Sequence, residues 1–271
     1  MPLYIASLAS GSNGNCYYIG NEHEAVLIDA GITCRETEHR MKRLGLSPQM
    51  VKAIFISHEH TDHTRGAEVI SRKYRVPVYI TAATHHNSRL FFEPSLVNPF
   101  SASAAVHIGG LYIHAFPKRH DASEPHSFIV KGNGVTIGIF TDIGIACEHV
   151  VTNISQCHAA FLEANYDEKM LEEGNYPAYL KKRIRGDDGH LSNHQALDLF
   201  TEHRPPFMRL LVLSHLSANN NTPKIVQDLF TRHASGVRIV VASRYEETEV
   251  FRVGTGRSEK RLNGKNQLNL F

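Results

Sequence analysis

Ser57-His58-Glu59-His60-Thr61-Asp62-His63 places four ligand-type side chains, His58, His60, Asp62 and His63, within six positions. The cluster follows residues 53–56, an apolar run that reads as a buried strand, so the donors sit together at a strand end. Here His58 and His60 can share one cation, while Asp62 and His63 fall at a second position a few ångströms away. Imidazole with carboxylate suits zinc, manganese or iron, and the lack of a nearby cysteine argues against a structural zinc site. The plainer alternative is a solvated polar loop. The chain carries 18 histidines against five methionines and no tryptophan, and histidine is the commonest metal ligand.

A second group, Gly189-His190-Leu191-Ser192-Asn193-His194, stands at the entry to a predicted helix, where free backbone N–H groups and the helix dipole favour an anion. Ser192 or Asn193 could instead simply cap that helix. Just upstream, Lys181-Lys182-Arg183-Ile184-Arg185 could hold phosphates or form a solvated helix face. The hydroxyl-rich segment from Ser7 to Cys16 could line a phosphate cleft or be a plain turn.

The elements that must position these groups alternate along the chain. Residues 3–8, 16–19 and 25–29 read as strands, the last two joined as a hairpin at Gly20-Asn21. Residues 33–44 have helical spacing, and strand 53–56 leads to a helix over 64–75. A strand at 76–80 and a helix at 82–90 follow. Strands at 111–116, 127–130 and 135–141 come next, the last two joined at Gly132-Asn133-Gly134. Strands at 159–163, 209–214 and 237–242 alternate with helices at 193–203 and 223–233, and Pro223 suits a first helical turn. Two sheets with helices outside is the natural layering of this mix.

Composition narrows the function. With 29 basic and 27 acidic residues the formal charge is +2, which excludes a bulk polycation and requires any nucleic-acid contact to be local. Cysteines 16, 34, 147 and 157 show no zinc-ribbon spacing. No apolar run reaches the roughly 18 residues of a membrane helix, so no membrane is expected. The start, Met1-Pro2-Leu3-Tyr4, lacks the pattern of a secretion signal, making a reducing cytoplasm the expected compartment.

The H-x-H-x-D-H loop resembles the signature of the metallo-β-lactamase fold superfamily, and the resemblance runs over nearly the whole chain. Val26-Leu27-Ile28-Asp29-Ala30-Gly31 is similar to its first motif, an apolar strand ending in a structural aspartate. His120, Asp142 and His215 resemble its later ligands. The resemblance implies an α/β, four-layer αββα sandwich, with residues 1–253 as one domain, a small substrate-facing insertion at 165–188 and a tail at 254–271. It also implies two divalent cations, zinc or manganese with iron as a further option: one on His58, His60 and His120, the other on Asp62, His63 and His215, with Asp142 between. Alternatives stay open: His126 rivals His120, and Asp142 could cap the segment after it.

Two such cations can hold a hydroxide and lower its pKa toward neutrality. Hydrolysis by that bridging hydroxide is therefore expected, with Asp62 orienting it or taking its proton. His190 resembles a histidine that contacts the scissile phosphate in nuclease branches of the superfamily. His190, Ser192, Asn193, Lys181, Lys182 and Arg183 are thus the expected substrate contacts. Residues 10–16, the Asp142 strand end, Glu163-Ala164-Asn165-Tyr166-Asp167 and the His190 segment together resemble the YycJ/WalJ-like family, which implies a DNA exonuclease acting from the 5′ end. The rivals are a thioester or lactone hydrolase of the glyoxalase II type, an RNA-processing or cyclic-nucleotide phosphodiesterase, and a catalytically silent metal-binding adaptor. The ending Gln267-Leu268-Asn269-Leu270-Phe271 resembles the peptide that bacterial repair proteins insert into the sliding clamp. Gln267, Leu268, Leu270 and Phe271 would make that contact, or the same residues would pack on their own domain.

Overall fold

Where the sequence runs apolar without alternation, both faces of a strand are buried, as a sheet covered on each side requires. The computed structural model describes residues 1–255; the clamp-type residues Gln267, Leu268, Leu270 and Phe271 lie outside the described residues. In chain order the strands are β1 (Leu3–Ala9), β2 (Cys16–Gly20), β3 (Ala25–Ile28), β4 (Val51–Phe55), β5 (Val78–Tyr79), β6 (Val97–Asn98), β7 (Val106–Ile108), β8 (Leu111–Pro117), β9 (His126–Gly132), β10 (Val135–Phe140), β11 (Ala159–Glu163), β12 (Leu210–Ser214), β13 (Arg238–Val241) and β14 (Phe251–Val253). They form two mixed sheets, in the orders β14-β1-β2-β3-β4-β5-β6 and β13-β12-β11-β10-β9-β8-β7. Strands β3 to β6 are mutually parallel, as are β10 to β13; the other pairings are antiparallel.

The helices are α1 (Cys34–Arg43), α2 (Thr61–Thr64), α3 (Ala67–Tyr74), α4 (Ala82–Ser88), α5 (Glu148–Ile154), α6 (Glu168–Glu173), α7 (Ala178–Ile184), α8 (Asn193–His203) and α9 (Pro223–Thr231), and α1, α3, α5, α8 and α9 cover the outer faces. Alternate strand residues divide between layers. Ile28, Ile137, Phe161 and Val212 meet between the sheets. Leu27 turns outward to Met41 and Ile70, and Leu162 and Leu213 turn outward to Val150, Phe200 and Phe230. The layering is αββα, and each fully buried aliphatic or aromatic side chain contributes about 1.5–3 kcal/mol. Among the described residues no helix is long and apolar enough to cross a membrane.

The strand and helix expectations recur with local differences. The β9–β10 turn has Asn133 and Gly134 at φ 52° and 78°, the double positive φ of a type I′ hairpin. The helix expected over 64–75 is split into α2 and α3 at Gly66, whose N–H donates to Ala30 O at 2.7 Å. A Cβ there would meet Ile32 O at 2.1 Å. The strand expected over 76–80 shortens to β5, and β6, β7, β14, α5, α6 and α7 are additions that the sequence reading lacks.

Candidate metal centre

Strand ends deliver the chemistry to one edge of the sandwich. Asp29 follows β3, Ser57 and His58 lie just past β4, Asp142 just past β10 and His215 just past β12, while Glu163 closes β11. Asp29, Asp142 and His215 have φ of 60°, 55° and 54°, a left-handed conformation costing about 1–2 kcal/mol per residue. Such strain concentrates where function requires a side chain to be aimed.

Four of the five ligand-type imidazoles are oriented through Nδ1, whereas His60 Nδ1 meets His58 Nε2 at 3.1 Å. Asp29 accepts the Ser57 N–H at 2.8 Å, the Ser57 hydroxyl at 2.9 Å and His63 Nδ1–H at 2.7 Å. Ser57 Oγ, its proton committed to Asp29, accepts from His58 Nδ1 at 2.8 Å. His120 Nδ1 donates to Gly189 O at 3.1 Å, and His215 Nδ1 to Glu163 Oε1 at 3.0 Å. These acceptors assign a proton to each of these Nδ1 atoms and turn each Nε2 inward, where His63 Nε2 also meets Asn15 Nδ2 at 3.1 Å, the arrangement that orients metal-binding histidines.

What faces inward fits divalent cations. One donor atom from each of His58, His60 and His120 lies within 4.8 Å of the others, and the same holds for Asp62, His63 and His215. Asp142 Oδ2 lies 3.1 Å from His63 Nε2, and Asp142 Oδ1 is 3.8 Å from His120 Nε2, so its carboxylate reaches both groups. His120 Nε2, His215 Nε2 and Asp142 Oδ2 are buried without a hydrogen-bond partner. An unsatisfied buried polar group costs about 1–3 kcal/mol, and a cation between these atoms would remove that cost. His126 stands apart: its Nδ1 donates to Glu124 O at 2.9 Å and its ring packs on Phe100.

Electrostatics follow from the same contacts. Burial alone would raise the Asp142 carboxyl, but His215 and His63 hold it well below the usual carboxylate range. Glu163 is likewise held at about 2 against its burial by His190 and His215. Burial would lower His215, yet Asp142, Asp62 and Glu163 raise it to about 10. His120, dominated by burial, is pushed down to about 4.

The donors open onto a cavity of about 340 Å³. His190 lines it with Nδ1 donating to Glu163 Oε1 at 2.7 Å, which leaves Nε2 as its free ring nitrogen. Arg183 also lines it, paired with Asp121 at 2.5 Å, whereas Lys181 and Lys182 are not among the lining residues. Ser192 and Asn193 do not line it either. Ser192 closes a capping box at the start of α8, and buried Asn193 exchanges hydrogen bonds with Asn221. Ser12 reaches the cavity, but most of its loop is scaffolding. Ser10 Oγ accepts the His215 N–H at 2.7 Å, and Asn15 Nδ2 donates to Asp62 Oδ2 at 3.2 Å.

Glu163 is the site residue that sequence reasoning missed as a functional group. Its Oε1 accepts from both His190 and His215, and its Oε2 accepts the Ile143 and Leu191 N–H groups at 2.7 and 3.4 Å. A carboxylate closing a wholly apolar strand was the available signal, since a charged side chain is almost never fully buried unless it is paired.

A family model described as the metallo-beta-lactamase superfamily matches residues 9–153. The chain is 32% identical over 232 residues to the exodeoxyribonuclease YycJ of Bacillus anthracis, spanning 84% of this chain and 87% of that one. It is 29% identical over 223 residues to the exodeoxyribonuclease WalJ of Streptococcus pneumoniae, 80% of this chain and 83% of that one. Among solved structures, the metallo-beta-lactamase fold protein YhfI from Bacillus subtilis superposes with a TM-score of 0.70 at 12% identity, covering 92% of this chain and 99% of that one.

Proposed function

The chain belongs to the metallo-β-lactamase superfamily, and from that premise we propose that it is a metal-dependent exodeoxyribonuclease that hydrolyses phosphodiesters from the 5′ end of DNA. The observation that carries the reading is the Glu163–His190 pair opening onto the same cavity as the histidine–aspartate donors. A thioester or lactone hydrolase has no need of that pair. The names of the YycJ and WalJ relatives support a DNA substrate.

In this reading His58, His60 and His120 would hold one divalent cation and Asp62, His63 and His215 the other, with the Asp142 carboxylate within reach of both groups. When bound, two such ions lower the pKa of water and draw charge from phosphate oxygens. The chain's own groups do the rest. Asp29 and Glu163, through His63 and His215, keep the ligand rings turned inward. Asp62, held by Asn15, orients the attacking water and accepts its proton. Glu163 holds the His190 Nδ1–H, so that in the imidazolium form the Nε2–H faces the scissile phosphate and delivers its proton to the leaving oxygen, leaving the ring neutral with its proton on Nδ1. Lys181 and Lys182 have no part in this assignment.

End-labelled single- and double-stranded DNA and RNA, incubated with added manganese, zinc or magnesium, test the reading. Mononucleotide release from the 5′ end of DNA is expected. Turnover of thioesters or lactones, with every oligonucleotide left intact, would overturn it.

A further inference from the structure

One wall of the reaction cavity is built from side chains that the chemistry above does not use. Tyr176, Leu180 and Ile184 line the cavity together with Arg183. Leu180 and Ile184 are one turn apart on α7, so they share a face, and Tyr176 stands four residues before Leu180. All three are half-buried, and none belongs to the apolar clusters that hold the sheets and helices together. Core packing therefore does not explain an aromatic and two aliphatic side chains at this position.

The wall is fixed relative to the catalytic groups. The backbone N–H of His190 donates to Ile184 O at 2.9 Å. Gly189 fits so tightly beneath α7 that a Cβ there would meet Ile184 O at 2.2 Å. The Tyr176 hydroxyl accepts from Asn219 Nδ2 at 2.8 Å, tethering the edge of the ring. A rigid aromatic plate flanked by aliphatic groups, beside a histidine and a cation-binding floor, matches the two halves of a nucleotide: an apolar flat base and an anionic phosphate.

Resting on the exonuclease reading, we propose that Tyr176, supported by Leu180 and Ile184, stacks the base of the terminal nucleotide while its phosphate meets His190 and the donor cluster. Stacking uses the π-face that every base has, so the wall accepts all four bases. Such a subsite makes the enzyme sense whether the terminal nucleotide carries a base at all.

The test compares kcat/KM on two otherwise identical DNA strands, one with an ordinary terminal nucleotide and one with an abasic terminal nucleotide. The wild-type protein should prefer the base-bearing end by about 10–100-fold, the range of one base–aromatic stack. Tyr176→Phe should keep that preference and Tyr176→Ala should bring it close to one, with the abasic strand degraded at the wild-type rate. A merely structural role for Tyr176 would lower both rates together and leave their ratio intact, which would overturn the proposal. So would a wild-type protein that degrades both strands equally. A wild-type protein that cleaves neither strand would instead strike the exonuclease reading on which the proposal rests.

Discussion

Two clusters of chargeable side chains flank the same cavity, and their hydrogen bonding is opposite. In the histidine–aspartate shell the Nδ1 atoms of His58, His63, His120 and His215 all have outward partners, and the inward atoms His120 Nε2, His215 Nε2 and Asp142 Oδ2 are left without partners. On α7 and just after it three of the four cations already have partners. Lys181 donates to the Glu172 carbonyl, Arg183 pairs with Asp121 at 2.5 Å, and Arg185 pairs with Glu172 at 2.6 Å. Buried polar atoms without partners are costly, so the shell is a receptor for something the chain does not supply. Exposed ion pairs are worth about 0–1 kcal/mol, and their charges are partly spent on one another. Density of charged residues in a sequence is thus a poor guide to binding; unsatisfied burial is a better one.

The hardest blow to that contrast would come through Asp142. Asp142→Ala removes a carboxylate within reach of both donor groups, and turnover should fall by about 10⁴-fold or more, the several kcal/mol that metal polarisation supplies. Elemental analysis should find the variant holding fewer than the two ions per chain expected of the wild type. Retention of both ions and of activity would mean that Asp142 is no part of the receptor. His190→Ala sharpens the boundary from the other side. It should keep both ions and lose about 10²–10⁴-fold in kcat, the range for removing a general acid. Loss of an ion in that variant would move His190 into the shell.

How much of this was legible follows from distance along the chain. His58, His60, Asp62 and His63 were readable because they are local and end an apolar strand. His120, Asp142 and His215 were reached through the resemblance, and the structure brings them to the same cluster. The left-handed corners at Asp29, Asp142 and His215 left no local mark, since each is imposed by contacts with distant segments. Ser192 and Asn193 carry a cap pattern and spend it on the helix and on Asn221. Leu180 and Ile184 were hidden because a basic run drew attention to its charges and not to the apolar face between them.

Glu163 gives a smaller effect with a sharper reading. Its two oxygens accept four donors, two imidazole N–H groups and two backbone N–H groups. Only an ionised carboxylate is acceptor at both ends. Glu163→Gln is nearly the same size, yet whichever way the amide turns, its NH₂ faces another donor. Activity should drop by about 10–100-fold, as for groups that orient metal-binding histidines. Thermal unfolding should show a loss of about 1–3 kcal/mol from the unsatisfied donor. An unchanged melting temperature would contradict the four-donor arrangement.

The smallest effect expected is at the basic run, where the contrast predicts nearly nothing. Lys181 is committed to the Glu172 carbonyl, and neither Lys181 nor Lys182 reaches the cavity wall. A strand held by phosphate contacts releases counterions, and for single-stranded DNA each contact adds about 0.7 to the slope of log affinity against log salt. If the two lysines tracked the backbone, replacing both with alanine would flatten that slope by about 1.4. The double variant Lys181→Ala, Lys182→Ala should instead keep the wild-type slope, and its stability should stay within about 0.5 kcal/mol, as for exposed surface changes. Fluorescence anisotropy of a labelled single strand across a potassium chloride series measures the slope. A flattening near the two-contact value would show that cations away from the cavity wall still act as a phosphate track, and the line drawn between the two clusters would have to be redrawn.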